Sequence, residues 1–194
     1  MKQSSSGTRR HHSLDDYFMV ELESVTKHEF CDGDIFAMAG ASLRHNHITS
    51  NLHALLRTAL RGSGCNAFTS DLRVATPGGL YTYPDVSVFC GAVELVPGRP
   101  DTATNPVALI EVLSDATREY DRGKKFELYK KFTSLKEYLV VEQDSVSIDH
   151  WRRSSSMVWS VKQHTRLTGA VRLRTRRVLL PVAEIYRDAG DPLA

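Results

Sequence analysis

Two acids set inside apolar, β-rich runs constrain this chain more than any other feature. Asp85 stands in Tyr83-Pro84-Asp85-Val86-Ser87-Val88-Phe89-Cys90, and Glu111 in Val107-Ala108-Leu109-Ile110-Glu111-Val112-Leu113-Ser114. Runs this apolar belong in a core, where a carboxylate must be paired, hydrogen-bonded or bound to a metal, because burying its charge alone is too costly. Two such acids on neighbouring core strands point to a divalent cation held between them. Taken singly, Asp85 also reads as a strand-entry cap beside Pro84, and Glu111 as the partner of an arginine.

The remaining pattern supplies a sheet and helices to place these strands. With 194 residues and 41% hydrophobic content the chain is long enough for one domain with a sizeable core. We expect a tail over 1–12 and a single domain over 13–194. Ser13 followed by Asp16 resembles a capping box, so a short helix with Leu14, Tyr17, Phe18 and Leu22 should follow. Residues 26–38 read as a hairpin around Asp32-Gly33. Ser42 is a candidate N-cap. Ile48, Leu52, Leu55, Leu56 and Ala59 recur at helical spacing up to Gly62, and His45 extends that stripe inward by one turn. Strands are predicted over 68–74 and 82–90, a Gly- and Pro-rich loop over 91–106, and further strands over 107–113 and 138–142. A helix is predicted over 122–132. The last part reads as a β meander, with turns at Ser154-Ser155-Ser156 and Thr168-Gly169. Strands interleaved with a few helices give an α/β or α+β sandwich.

The helix over 122–132 contributes a third candidate. Lys125, Leu128, Tyr129 and Phe132 fall at i, i+3, i+4 and i+7, on the face that must pack against the sheet. Lys125 is the only charged member of that stripe, whereas Lys124, Glu127 and Lys131 share the polar face. A lone inward lysine usually snorkels. Beside two buried carboxylates it would instead be paired, and able to stabilise charge on a reacting phosphoryl group or orient a water.

Charge and cysteine content narrow the partners. The formal charge is +2, yet from His150 to Ala183 there are eight Lys or Arg and no Asp or Glu: Arg152, Arg153, Lys162, Arg166, Arg172, Arg174, Arg176 and Arg177. This is either a solvated strand face or a surface that tracks phosphates. The three cysteines, Cys31, Cys65 and Cys90, are odd in number, widely spaced and without a Cys-x-x-Cys pair. They argue against a disulfide framework or zinc ribbon and predict reduced thiols in a cytoplasmic protein. The first dozen residues lack the apolar region of a secretory signal, and no apolar run approaches the roughly 18 residues of a membrane span, so no membrane association is expected.

The ordered set Tyr83-Pro84-Asp85-Val86, Ile110-Glu111-Val112-Leu113-Ser114 and Tyr120-Asp121-Arg122-Gly123-Lys124-Lys125-Phe126-Glu127-Leu128-Tyr129 resembles the Uma-two family of restriction-endonuclease-like proteins, within the PD-(D/E)XK nuclease superfamily. Glu29-Phe30-Cys31-Asp32-Gly33-Asp34, Ala41-Ser42-Leu43-Arg44-His45-Asn46 and Ser134-Leu135-Lys136-Glu137-Tyr138-Leu139-Val140-Val141 extend it over nearly the whole chain, about 13–186. The resemblance implies a restriction-endonuclease-like fold, a mixed central sheet flanked by helices. It also implies Mg²⁺-dependent hydrolysis (or Mn²⁺-dependent) of phosphodiester bonds in DNA. Asp85 would match the Pro-Asp acid and Glu111 the second acid, both as metal ligands. Glu29 would match an additional acid and His45 an inward histidine near the site. The wider superfamily expects lysine two residues after Glu111, where this chain has Leu113; Lys125 matches the relocated lysine. Asp115 stands where the family often has proline. A non-catalytic nucleic-acid-binding module on the same fold and a metal-dependent hydrolase of another substrate stay open. A homodimer would suit an enzyme cutting both strands.

Overall fold

A computed structural model describes residues 11–38, 40–154 and 158–190. Most of the expected tail and the turn at 155–156 therefore lie outside the described residues. The chain runs α1 (Leu14–Glu23), β1 (His28–Cys31), β2 (Asp34–Ala37), α2 (Leu43–Ala59), β3 (Cys65–Thr69), β4 (Arg73–Ala75), β5 (Tyr81–Thr82), β6 (Val86–Cys90), β7 (Leu95–Val96), β8 (Arg99–Ala103) and β9 (Ala108–Leu113). It continues with α3 (Arg118–Arg122), α4 (Lys124–Tyr129), β10 (Glu137–Glu142), β11 (Ile148–Arg153), β12 (Trp159–His164), β13 (Ala170–Arg172), β14 (Leu179–Pro181) and α5 (Val182–Ile185).

The architecture is mixed α+β. One six-stranded sheet has the order β2-β1-β5-β4-β8-β7, a second has β12-β11-β10-β9-β6-β3, and β13 pairs with β14. In the second sheet β9 runs parallel to β10, with Glu111 opposite Val140, and antiparallel to β6, with Val86 opposite Ile110. Both β9 and β10 are buried along their whole length. Ile48, Leu52 and Leu56 of α2 cover one face of this sheet against Val88, Ile110 and Leu139. Phe126, Leu128 and Tyr129 of α4 cover the other face against Leu109, Leu113 and Tyr138, in a cluster that also takes in Cys31, Val74 and Leu80 of the first sheet and its connections. This second layer joins the two sheets.

Local signals account for the helix starts. Ser13 Oγ accepts from Asp16 N while the Asp16 carboxylate accepts from Ser13 N, a complete capping box. Ser42 Oγ accepts from His45 N at 3.0 Å. The β1–β2 turn places Asp32 and Gly33 at φ 52° and 81°, the left-handed pair that suits a tight hairpin. His12 N donates to Gly33 O at 2.8 Å.

Four readings of the sequence need correction. The run over 68–74 is two strands, β3 in the second sheet and β4 in the first, separated by a turn. The run over 82–90 breaks likewise: β5 belongs to the first sheet and β6 to the second. Pro84, which has no N–H to give to a ladder, sits at this crossing. The loop over 91–106 contains the β7–β8 hairpin. The helix over 122–132 is two helices, α3 and α4, meeting at Gly123 with φ −107° and ψ −102°. A Cβ there would lie 2.9 Å from Glu119 O, so the sharp junction needs glycine. No helix among the described residues is long and apolar enough to cross a membrane.

The cysteines form the other correction. Cys65 on β3 stands directly opposite Cys90 on β6, and the two are disulfide-bonded, leaving Cys31 buried and free. Spacing in sequence carries no information about a cross-strand register, which is why three reduced thiols looked natural. Denatured protein without reductant should therefore give one thiol per chain in a dithionitrobenzoate titration, and three after reduction. Three thiols before reduction would contradict the pairing.

Candidate active site

Five sequence candidates come together where the two sheets, α2 and α4 meet. Glu29 projects inward from β1, where buried and half-buried residues alternate. Its Oε1 accepts from Thr82 Oγ1 of β5 and lies 2.8 Å from Lys125 Nζ. Asp85 lies in the crossing segment, just before β6. The β6–β9 pairing stops at Val86, and the Asp85 side chain continues it: Val112 N donates to Asp85 Oδ2 at 2.7 Å. His45, in the first turn of α2, brings Nε2 to 3.2 Å from the same oxygen. Glu111 sits at the middle of β9. Its Oε1 accepts from Tyr129 Oη at 2.7 Å and lies 3.0 Å from Lys125 Nζ, while Oε2 faces Asp85 N at 3.3 Å.

Lys125 ties this assembly together. Its side chain is only 6% exposed, and Nζ contacts three carboxylates: Glu29, Glu111 and, at 3.2 Å, Asp121. Helical periodicity correctly turned Lys125 inward and Lys124 outward, although α4 is short. Asp121 lies four residues before Lys125 and belongs to the same stripe, so its inward position was readable by extending the pattern one turn back. Tyr129 was in the stripe but read as packing alone. Thr82 carried no signal beyond its place in an apolar run.

The electrostatics follow from one ammonium serving three carboxylates, with the charge of Asp85 close by. Glu111 is pushed up from 4.5 to about 8, first by burial, which outweighs the attraction of Lys125, and further by the charges of Asp121 and Asp85. Lys125 moves the other way from a lone buried lysine. Burial disfavours its charge, but Glu111 and Glu29 outweigh that and hold the ammonium protonated well above its usual range. For His45 burial lowers the pKa, and the hydrogen bond and charge of Asp85 more than reverse it.

The donor set fits a hard divalent cation with few protein ligands. Among the described residues no group of three or more His, Cys, Asp or Glu side chains is arranged to hold a metal. Asp85 and Glu111 form a pair, and each has one oxygen already held by the protein: Oδ2 by Val112 N and His45, Oε1 by Tyr129 and Lys125. Of the other oxygens, Asp85 Oδ1 remains, and Glu111 Oε2 accepts one long hydrogen bond, 3.3 Å from Asp85 N. Mg²⁺ commonly takes one or two carboxylates and completes its shell with water and phosphate. The excess negative charge is the kind a divalent ion neutralises.

The mixed sheet flanked by helices is a restriction-endonuclease-like fold, and the two acids and the lysine lie together within it. The chain belongs to the Uma2 family, described as "Putative restriction endonuclease", whose model matches residues 14–179. It is 35% identical over 178 residues to the uncharacterized protein slr1290 of Synechocystis, covering 90% of this chain and 91% of that one. A second uncharacterized Synechocystis protein, sll1609, is 32% identical over 145 residues, covering 74% and 82%. A crystal structure described as a "putative nuclease belonging to DUF820" from Anabaena variabilis superposes with a TM-score of 0.73 at 16% identity, over 91% of this chain and 98% of that one. At that identity the likeness is one of fold.

The raised Glu111 pKa makes stability depend on pH. The unfolded chain loses this proton near 4.5, whereas the fold keeps it until about 8. The stabilising effect of this group is thus complete below 4.5 and is lost as pH rises through 8. In chelator, Glu111→Gln mimics the protonated form and escapes the loss. The melting temperature of the variant minus that of the wild type should therefore rise from pH 5 to pH 8 and then level off. A difference independent of pH would contradict the assignment.

Proposed function

We propose that this chain is a metal-dependent endonuclease that hydrolyses phosphodiester bonds in DNA. The observation that carries this reading is the pairing of Asp85 with Glu111: one oxygen of each is held by the protein, Asp85 Oδ1 is left over, and Glu111 Oε2 has only a 3.3 Å bond from Asp85 N. A neighbour of the same fold described as a "putative nuclease" and membership of the Uma2 family support the reaction class.

In this proposal Asp85 and Glu111 hold Mg²⁺ or Mn²⁺. Such an ion, when bound, lowers the pKa of a water and polarises the phosphoryl oxygen. The chain's own residues do the rest. Val112 N and His45 fix the Asp85 carboxylate at the sheet entrance. Tyr129 and Lys125 fix Glu111 from behind. The Lys125 ammonium, held charged by Glu29 and Asp121 as well, supplies positive potential beside the reacting phosphate and orients the attacking water. Glu29 acts through Lys125 and is a positioning residue. His45 steadies that acid from the first turn of α2 and stands beside the substrate.

Purified protein should cut double-stranded DNA in Mg²⁺ or Mn²⁺ and lose activity in chelator. Asp85→Asn, which keeps the size of a half-buried side chain, should slow cutting by at least about 10²-fold while leaving DNA binding in place. Binding without cleavage of DNA or RNA in either metal would replace this reading with a non-catalytic nucleic-acid-binding module.

A further inference from the structure

We propose that the arginine-lined depression at the far end of α2, together with the exposed face of the helix that leads to it, is a track for the DNA backbone. This deepens the nuclease reading and rests on it. Three independent observations converge.

The first is charge. From Ile35 to Ser70 the chain has no Asp or Glu at all, although acids make up 23 of its 194 residues. On α2 and just past it, Asn46, Ser50, Ala54, Arg57 and Arg61 recur every three or four residues and are exposed. The stripe is neutral and narrow in the middle, where Ser50 and Ala54 let a backbone approach, and cationic at its end. Its other end is Asn46 in the first turn, next to His45, which turns to the opposite, inward face and contacts Asp85.

The second is the depression. It has a volume of about 260 Å³ and is lined by nine residues, among them Arg57, Arg61, Gly64 and Asn66, and none of them is acidic. Arg176 joins them from across the chain. Its Nε donates to Cys65 Sγ at 3.3 Å, and its Nη2 lies 3.9 Å from where a Cβ on Gly64 would sit. Among the described residues no carboxylate is within ion-pair distance of these three guanidinium groups. Like charges gathered without counter-charge on a protein surface mark a site for an anion.

The third is the backbone that delivers Arg176. Arg176 and Arg177 are consecutive non-glycine residues at φ 56° and 55°, an unfavourable left-handed conformation. It directly follows an anchor: the buried Glu137 carboxylate accepts from Arg174 N and Thr175 N, both at 2.9 Å, and from His150 Nε2 at 3.0 Å. Strain held by its surroundings in this way is typical of ligand clamps.

The test is binding of a fluorescent duplex of about 20 base pairs in chelator, followed by anisotropy across a salt series. The combined variant Arg57→Ala, Arg61→Ala, Arg176→Ala should weaken binding at least tenfold at about 0.1 M salt and flatten the log–log salt slope by about 2 to 3. Ser50→Glu with Ala54→Glu places acids on the same face without touching the depression, and should weaken binding to a similar degree. Variants that bind with wild-type affinity and salt slope, or a wild type that does not bind the duplex, would overturn the track. Weakened variants together with a wild type that binds but never cuts would support the track and contradict the hydrolytic reading instead.

Discussion

The Lys125 ammonium, buried among Glu29, Glu111 and Asp121, is the interaction on which the rest of this structure depends. It reaches from α4 to both sheets and to α3, so a single charge ties four parts of the fold to one point. Removing one partner of a buried ion pair typically costs about 3–5 kcal/mol, because the charges left behind have no solvent to turn to. Here three carboxylates would be left. The same geometry is what makes the site chemically useful: a cation fixed behind Glu111 turns the remaining oxygen of that acid toward Asp85.

The site exists because two strands change sheets. β3 passes into β4 and β5 into β6, and the second crossing carries Pro84 and Asp85 to the open end of β9. There the Asp85 carboxylate takes a backbone N–H that a longer strand would have taken. A regular strand over 82–90 would have paired Val112 N with main chain and left no place for an acid. The irregularity is the means by which an acid enters a core sheet.

Much of this was legible in the sequence, and the rest was not, for physical reasons. Asp85, Glu111 and Lys125 stood out because a charge on an apolar face is a local anomaly that periodicity exposes. Ser13 and Ser42 announced their helices because capping is local too. Membership of a stripe does not tell a hydrogen-bonding tyrosine from a packing one, which hid Tyr129, and Asp121 sat one turn before the pattern was taken to begin. The sheet crossings, the β7–β8 hairpin and the Cys65–Cys90 pair are matters of register and partner choice between distant segments, which no window of neighbouring residues records. The break at Gly123 lies between: glycine signals permission to bend, and only the approach of Glu119 O shows that the bend is taken.

The measurement that bears most directly on the account is anomalous scattering from crystals soaked in Mn²⁺. The account expects one strong peak within coordination distance of Asp85 and Glu111 carboxylate oxygens, with Lys125 still bonded to Glu111, and no peak in crystals of Asp85→Asn. Well-ordered crystals that show no peak there, or a peak that survives the substitution unchanged, would contradict it.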